Sequence, residues 1–356
     1  MNERRSTPLP ALFLAALLIA SLGCDAMVGR IVQSAANRQA NSAGRHLLED
    51  DALNVFLCGT GSPLPEPQTA SACTMILAGG KMYVVDVGPG SQKVAQLAGI
   101  PTSTLGGIFL THFHSDHIGE LGEWAMQSWV NGRTGPLHIY GPEGVEGVVG
   151  GFRQAYRPDD EYRIAHHGLE LLPRTATEWV SHEVPYTNGD GTTVLEQDGL
   201  VVTAFAVDHT PVEPAVGYRF EYKGRSVVVS GDTDRSSNLA LNAKGADLLI
   251  HEVLLKQLIG DVSDAMAEAG NSRLSKLAGD VLDYHTSPSE AAAIAKEAGV
   301  EMLVFTHIVP PVPGLLRNWL FLRDVDAGEV DVMLGEDGMQ FRLPPGSDAI
   351  EVAEAD

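Results

Sequence analysis

Four potential metal ligands occur within six residues of this sequence, directly after the apolar run Gly107–Leu110. They are His112, His114, Asp116 and His117. In an extended segment, residues i and i+2 project to the same side, so His112 and His114 can share one cation. The chain must then turn before Asp116 and His117 can reach back, and these two are better placed to hold a second cation. The segment therefore requires a fold in which a buried strand ends beside a metal site.

Other apolar runs rich in Val, Ile and Leu also end in His or Asp. The residues that follow them are Asp86, His209, Asp232, the pair His251 and Glu252, and His307. Open α/β sheets place their sites at the carboxyl ends of strands, so these side chains are expected to meet at one edge. His209 is predicted to complete the first metal site, His307 the second, and Asp232 to bridge them. Imidazole and carboxylate ligands suit zinc, with iron or manganese as alternatives.

The chain reads as an α/β protein because short apolar runs alternate with helical patterns and Gly/Pro turns. The predicted strands are Asn54–Cys58, Met82–Val85, Gly107–Leu110, Leu137–Tyr140, Val201–Val207, Val216–Tyr222, Ser226–Val229, Asp247–Ile250 and Met302–Phe305. The predicted helices are Ser91–Ala98, Gly119–Trp129, Val145–Ala155, Asp261–Asp280 and Ser289–Ala298. For the last helix, Ser287, Pro288 and Glu290 form a start signal with a capping box.

The N-terminus has the pattern of an export signal. Arg4 and Arg5 precede the apolar stretch Ala11–Leu22, which is short for a membrane span and suits a signal peptide. The stretch ends at Ser21-Leu22-Gly23-Cys24, similar to a bacterial lipoprotein cleavage site with Cys24 as the acylated residue. A plainly cleaved signal and an uncleaved anchor are the alternatives. The chain is therefore predicted to be exported to the periplasm, where a lipid anchor would attach it to the membrane.

Four segments follow from these patterns: a signal peptide over 1–24, a spacer over 25–51, one compact domain over 52–345, and a frayed acidic tail over 346–356. Cys58 and Cys73 can form a disulfide in an oxidising compartment, or remain as two buried free thiols. The sequence does not decide between them.

Taken together, these residues and several turn motifs resemble the metallo-β-lactamase superfamily, over about residues 54–343. Within it the chain looks most like the branch that contains ribonuclease Z and the zinc-dependent (type III) arylsulfatases. The residues that carry the resemblance are Gly59-Thr60-Gly61-Ser62, Asp86, His112–His117, Gly141-Pro142-Glu143-Gly144, His209, Gly217-Tyr218-Arg219, Gly231-Asp232-Thr233, His251-Glu252, His285-Thr286-Ser287 and Thr306-His307. The resemblance implies an αββα sandwich with a dinuclear zinc centre at one edge of the sheets.

The resemblance also implies roles for single residues. One zinc would be bound by His112, His114 and His209, and the other by Asp116, His117 and His307, with Asp232 shared by both. Asp86 would support the ligands from behind, and a structural role is favoured for His251 and Glu252, the latter also as a support of the site. Two zinc ions would activate a shared water and clamp the oxyanion of the ester under attack. The catalytic residues would be Asp116 and His285, with His285 as proton donor to the leaving group.

The sequence is less decisive about the substrate. The chain has 24 Lys and Arg against 46 Asp and Glu, and its net charge of −22 disfavours a nucleic-acid substrate. The first hypothesis is therefore an exported hydrolase of a small sulfate or phosphate ester, similar to the arylsulfatases. Arg157 or Arg163 would orient the anionic group, with a solvated charged turn as the equal alternative.

The main alternative is a phosphodiesterase of the ribonuclease Z type. A lactonase or thioesterase and a non-catalytic binding protein are lesser alternatives, and a homodimer is an alternative to a monomer. The binding protein is disfavoured because no ligand of the predicted metal site is missing.

Overall fold

Two β-sheets lie face to face with helices on both outer sides. The computed structural model describes residues 27–30, 33 and 43–354. In that part of the chain the strands are β1 Leu53–Gly59, β2 Cys73–Ala78, β3 Lys81–Val85, β4 Leu105–Phe109, β5 Leu137–Gly141, β6 Trp179–Glu183, β7 Thr192–Gln197, β8 Leu200–Ala206, β9 Val216–Tyr222, β10 Arg225–Val229, β11 Leu248–Leu254, β12 Met302–Val309, β13 Asp331–Leu334, β14 Gln340–Leu343 and β15 Glu351–Ala353.

The α-helices within residues 43–354 are α1 His46–Glu49, α2 Ser91–Leu97, α3 Ser115–Ile118, α4 Leu121–Val130, α5 Val145–His167, α6 Ser237–Asn242, α7 Lys256–Glu268, α8 Ser272–Asp280, α9 Pro288–Ala298 and α10 Gly314–Leu322. No helix of this part of the chain combines the length and the apolar character needed to cross a bilayer.

The first sheet has the strand order β15-β14-β1-β2-β3-β4-β5-β6, and the second has the order β13-β12-β11-β10-β9-β8-β7. Strands β3 to β6 run parallel to one another, as do β10 to β13. Because the carboxyl ends of parallel strands meet at one edge, each sheet brings the loops after its parallel strands together.

The main core fills the space between the two sheets. Phe109 of β4 stacks on Tyr140 with ring centroids 4.6 Å apart and meets Tyr218 and Phe220 of β9 edge-on, at 5.3 and 5.4 Å. Separate apolar clusters join α2 and α4 to the first sheet, and α6 and α9 to the second. All seven residues of β1 are buried because both faces of its sheet are covered. The layer order is therefore the expected αββα.

The structure differs from the predicted boundaries at both ends of the domain. Leu47 and Leu48 of α1 are buried against the first sheet, so the end of the predicted spacer, 25–51, packs on the domain. The predicted tail, 346–356, contains β15, which pairs with β14 at the sheet edge. This part of the tail is therefore not frayed. The predicted signal peptide, 1–24 with Cys24, lies outside the described residues.

Candidate metal centre and adjoining cavity

The first sheet contributes one half of the ligand cluster. Strand β3 ends before Asp86, and β4 leads through Leu110 and Thr111 into His112. His114 precedes helix α3, whose first turn carries Asp116 and His117. The extended stretch followed by a helical turn is the change of direction that the spacing of these ligands requires.

The second sheet contributes the other half. His209 follows β8 and Asp232 follows β10, whereas His307 lies inside β12 and not after its end. The pairing of β12 with β11 shifts at this point, so that His307 has no partner residue opposite it. Its φ of 43° lies in the left-handed region. Such a bulge redirects a side chain, and here it turns the imidazole toward the cluster.

Four of the other six predicted metal ligands surround the carboxylate of Asp232. Its Oδ2 lies 3.3 Å from Nε2 of His117, 3.5 Å from Nε2 of His307, 3.9 Å from Nε2 of His112 and 4.0 Å from Nε2 of His209. The ligand atoms of His112, His114, His209 and Asp232 all lie within 4.8 Å of one another. Asp232 is therefore placed to bridge two positions.

Asp116, His117 and His307 form a second group with the same spread of ligand atoms, within 4.8 Å. Oδ2 of Asp116 lies 3.1 Å from Nε2 of His307 and 3.5 Å from Nε2 of His117. Both groups of ligand atoms lie beside the carboxylate of Asp232, as expected for a dinuclear centre.

The unpaired nitrogens of the cluster test whether a metal fits. The Nε2 atoms of His112, His117 and His209 are buried and have no hydrogen-bond partner. The opposite nitrogen of each ring is held. Nδ1 of His117 contacts Asp86 at 2.7 Å, Nδ1 of His209 contacts the carbonyl of Tyr284 at 2.8 Å, and Nδ1 of His112 contacts the hydroxyl of Thr111 at 3.1 Å. Imidazoles held at one nitrogen and free at the other are typical metal ligands.

The electrostatics of the cluster are those of a buried anion among imidazoles. Burial alone would raise the pKa of Asp232, but His307 and His117 hold that pKa well below 3.8. Burial lowers the pKa of His112 and His209 from 6.5, which favours their neutral, metal-binding forms. For His117 burial acts in the same direction, but Asp232 and Asp86 raise its pKa above 6.5.

His285 lies next to the cluster and is oriented by Glu252. Its Nδ1 is 3.0 Å from Oε1 of Glu252, and the same oxygen accepts the backbone N–H of Thr286 and of Thr233, at 3.0 and 3.2 Å. Burial opposes protonation, but Glu252 raises the pKa of His285 to about 9. His251 is fully buried, and its Nδ1 lies 2.7 Å from the backbone carbonyl of Glu252.

A cavity of about 580 Å³ opens beside the cluster. Its polar side is formed by His114, Asp116, Asp232, His285 and His307, and its other walls are mostly apolar. These walls come from α7, α8 and the ends of β11 and β12. Neither they nor Tyr284 was predicted from the sequence. Apolar residues at helical spacing occur there, but a sequence cannot distinguish a face that lines a cavity from one that packs in a core.

The structure does not bring Arg157 or Arg163 to this site. Both lie on the long helix α5 and neither lines the cavity. Arg163 pairs with Asp159 one helical turn earlier, at 2.6 Å. The prediction that one of them orients an anionic ester group is therefore wrong, and the predicted charged turn is a helix.

Comparison with known proteins places this arrangement in a family. Residues 67–307 match the family model described as the metallo-beta-lactamase superfamily. Among curated proteins, ribonuclease Z of Mycolicibacterium paratuberculosis is 38% identical over 290 residues, which cover 80% of this chain and 96% of the relative. Ribonuclease Z of Mycobacterium bovis is 38% identical over 285 residues, covering 79% and 95%.

Solved structures share the fold at lower identity. The short form of human tRNase Z superposes with a TM-score of 0.57 and 22% identity, covering 82% of this chain and 99% of that one. The metallo-beta-lactamase fold protein YhfI of Bacillus subtilis gives a TM-score of 0.56 at 22% identity, covering 82% and 100%.

Proposed function

The chain belongs to the metallo-beta-lactamase superfamily, and from this membership we propose that it is a metal-dependent phosphodiesterase of the ribonuclease Z type. The observation that carries the proposal is the 38% identity to curated ribonucleases Z across 96% of the relative's length. This likeness favours the alternative from the sequence analysis over the arylsulfatase-like hypothesis. It also weakens the expectation that nucleic acid is not a substrate.

The residues present fit two divalent metal ions. His112, His114 and His209 would hold one ion and Asp116, His117 and His307 the other, with Asp232 between them. Two ions held there would supply an activated water and would polarise a phosphoryl oxygen. Zinc suits this donor set best, and manganese or iron also accept it.

The chain's own groups complete the site. His285 lines the cavity next to Asp232 and His307. Because Glu252 holds Nδ1, Nε2 is the ring nitrogen left for a substrate in the cavity that His285 lines. We assign His285 the protonation of the leaving oxygen, with Glu252 as the residue that positions it.

A second candidate is hydrolysis of a small sulfate or phosphate ester. It is favoured by the net charge of −22, because a polyanion such as RNA is repelled by an acidic surface. The same ligands serve both reactions, so only the substrate distinguishes the two.

The proposal is tested by measuring kcat/KM of the metal-loaded protein for four substrates. These are precursor tRNA, bis(p-nitrophenyl) phosphate, an aryl sulfate and a lactone. We expect the phosphodiesters to be cleaved with the highest kcat/KM, and chelation to remove the activity until Zn²⁺ or Mn²⁺ is restored. Asp232→Ala should lower kcat/KM at least about a hundredfold because it removes the carboxylate that both groups of ligand atoms surround.

The matched control is Asp198→Asn, which neutralises a surface carboxylate paired with Lys81 and keeps a residue type that tolerates the positive φ of 53° at this position. Cleavage of the aryl sulfate with no cleavage of either phosphodiester would replace the proposal by the second candidate. Full activity of the Asp232 variant would contradict a metal-based mechanism.

A further inference from the structure

A helical hairpin forms the wall of the cavity opposite the ligand cluster. Helices α7 and α8 are joined at Ala269, Gly270 and Asn271, and Gly270 has a φ of 76° that suits the sharp turn. Both helices contribute to the lining, together with Leu254 and Val309 at the ends of β11 and β12. The cavity therefore extends from the metal ligands to the inner face of this hairpin.

That inner face is apolar and open. Helix α7 contributes Ile259, Val262 and Met266, and α8 contributes Leu274 and Leu277. Val262, Leu274 and Leu277 are 40%, 47% and 52% exposed, which is high for side chains of their size in a folded domain. A continuous open apolar surface of this kind marks a binding site more often than a gap in packing.

The hairpin is held in place without a ligand. The hydroxyl of Ser263 on α7 donates a hydrogen bond of 2.8 Å to the carbonyl of Ser275 on α8. The side chain of Asn271 caps α8 by accepting the N–H of Leu274 at 3.2 Å. At the base, Ile259 packs with Leu254 and Val309 in a buried cluster. The wall is therefore preformed, and occupation of the cavity does not require the hairpin to fold first.

The lining offers no basic side chain to a polyanion. Among the described residues that line the cavity none is Lys or Arg, and the acidic ones, Asp116 and Asp232, belong to the ligand cluster. The walls are aliphatic, with Tyr284 as their one aromatic side chain other than histidine. Nucleobases are usually bound by stacking on aromatic side chains, whereas alkyl and aryl groups need only apolar contact.

We propose that this cavity binds an apolar alkyl or aryl substituent of the phosphodiester, next to the bond that is cleaved. The proposal rests on the proposed function for the reaction and adds the class of substrate. Burial of the apolar substituent against α7 and α8 stabilises the complex, while the phosphoryl group lies at the ligand cluster.

The test uses the metal-loaded protein and a series of p-nitrophenyl alkyl phosphates with methyl, butyl and octyl chains. We expect kcat/KM to rise about a hundredfold or more from methyl to octyl, mainly through a lower KM, because each buried methylene contributes. Leu277→Asn should reduce the ratio of the octyl to the methyl value about tenfold. Met266→Asn provides a second variant on the other helix.

The matched control is Leu241→Asn on α6, since Leu241 is 47% exposed and does not line the cavity. In this variant the ratio of kcat/KM for the octyl ester to kcat/KM for the methyl ester should equal that of the unchanged protein. Equal kcat/KM values across the series would overturn the proposal and leave the phosphodiesterase activity standing. Precursor tRNA cleaved with a higher kcat/KM than the octyl ester would also overturn it.

Calorimetric binding of octylphosphonate and methylphosphonate separates the two proposals if no phosphodiester is cleaved. Tighter binding of the octyl compound, weakened by Leu277→Asn and not by Leu241→Asn, would support the apolar cavity while the proposed reaction fails. Equal binding of the two phosphonates would count against the cavity as well.

Discussion

At the scale of single residues, Asp86 determines what His117 can do. Oδ2 of Asp86 accepts from Nδ1 of His117 at 2.7 Å and from the hydroxyl of Thr111 at 2.8 Å, and Oδ1 accepts the N–H of Thr111 at 2.8 Å. With its proton on Nδ1, His117 presents a lone pair on Nε2 to the ligand cluster. The carboxylate therefore selects the tautomer that binds metal.

Asp86→Asn is expected to weaken metal binding about 10- to 100-fold, because an amide N–H₂ facing Nδ1 cannot accept its proton. Competition with a chromogenic chelator, with metal content from elemental analysis, measures the effect directly. Asp198→Asn serves as the matched control at the surface. Unchanged metal affinity in Asp86→Asn would show that Asp86 does not set the tautomer.

The identity of the clustered residues is predictable from sequence, but their backbone conformation is not. The spacing of His112 to His117 indicates metal ligands because few other chemistries need that pattern. In contrast, Asp86 and His307 have φ angles of 57° and 43°, in a region that non-glycine residues occupy at a cost of about 1–3 kcal/mol. Only the surrounding sheets, which no local pattern describes, hold them there.

At the scale of secondary structure, the cap at the start of α9 stabilises the helix and also fixes the backbone next to His285. The capping box predicted at Ser287 and Glu290 is confirmed. The Glu290 carboxylate accepts the N–H of Ser287 at 2.9 Å and pairs with Lys256 at 3.0 Å. Because His285 lies two residues before this cap, the same bonds fix the end of the segment that carries it.

The contribution of Glu290 to stability should depend on pH. Burial opposes its ionisation, but bonds from Ser287 and Lys256 lower the pKa of Glu290 below 4.5. A carboxylate whose pKa is lower in the folded state than in the unfolded state stabilises the fold at pH values above its unfolded-state pKa. This stabilisation is lost as the pH falls through the folded-state pKa.

Glu290→Gln should therefore reduce the free energy of unfolding by about 1 kcal/mol at pH 7 and by clearly less near pH 3. Urea unfolding at both pH values tests this, with the exposed Glu297→Gln of the same helix as control. An equal loss at both pH values would mean that the charge of Glu290 does not contribute.

Element boundaries show where sequence patterns fail. A single helix is predicted over Asp261–Asp280, but the chain turns at Gly270 and forms α7 and α8. One glycine in a helical pattern predicts a small loss of stability, and only tertiary packing decides whether the helix ends there. Strands β6 and β7, which are only half-buried, were not predicted because polar residues interrupt their apolar patterns.

At the scale of the whole molecule, we propose that the chain is exported, as its first 24 residues predict. Support comes from Cys58 and Cys73, which form a disulfide between the adjacent strands β1 and β2. Disulfides of this structural kind persist in oxidising compartments. The sequence left open whether these two cysteines pair.

Cell fractionation of a bacterium that produces the full chain tests the proposal. We expect membrane attachment that is lost when globomycin blocks lipoprotein processing, or when Cys24→Ala removes the acylated residue. A cleaved protein that is free in the periplasm would favour the plain signal peptide. Recovery of the uncleaved chain with free thiols in the cytoplasm would exclude export.

The division of the ligands between the two sheets has a consequence for how the protein matures. The ligands span residues 112 to 307, and each sheet provides only part of the set. The N-terminal half of the chain lacks His209, Asp232 and His307, so the complete donor set exists only once both sheets have assembled. The metals available in the compartment where the chain folds therefore contribute to the choice of ion, alongside the ligand set itself.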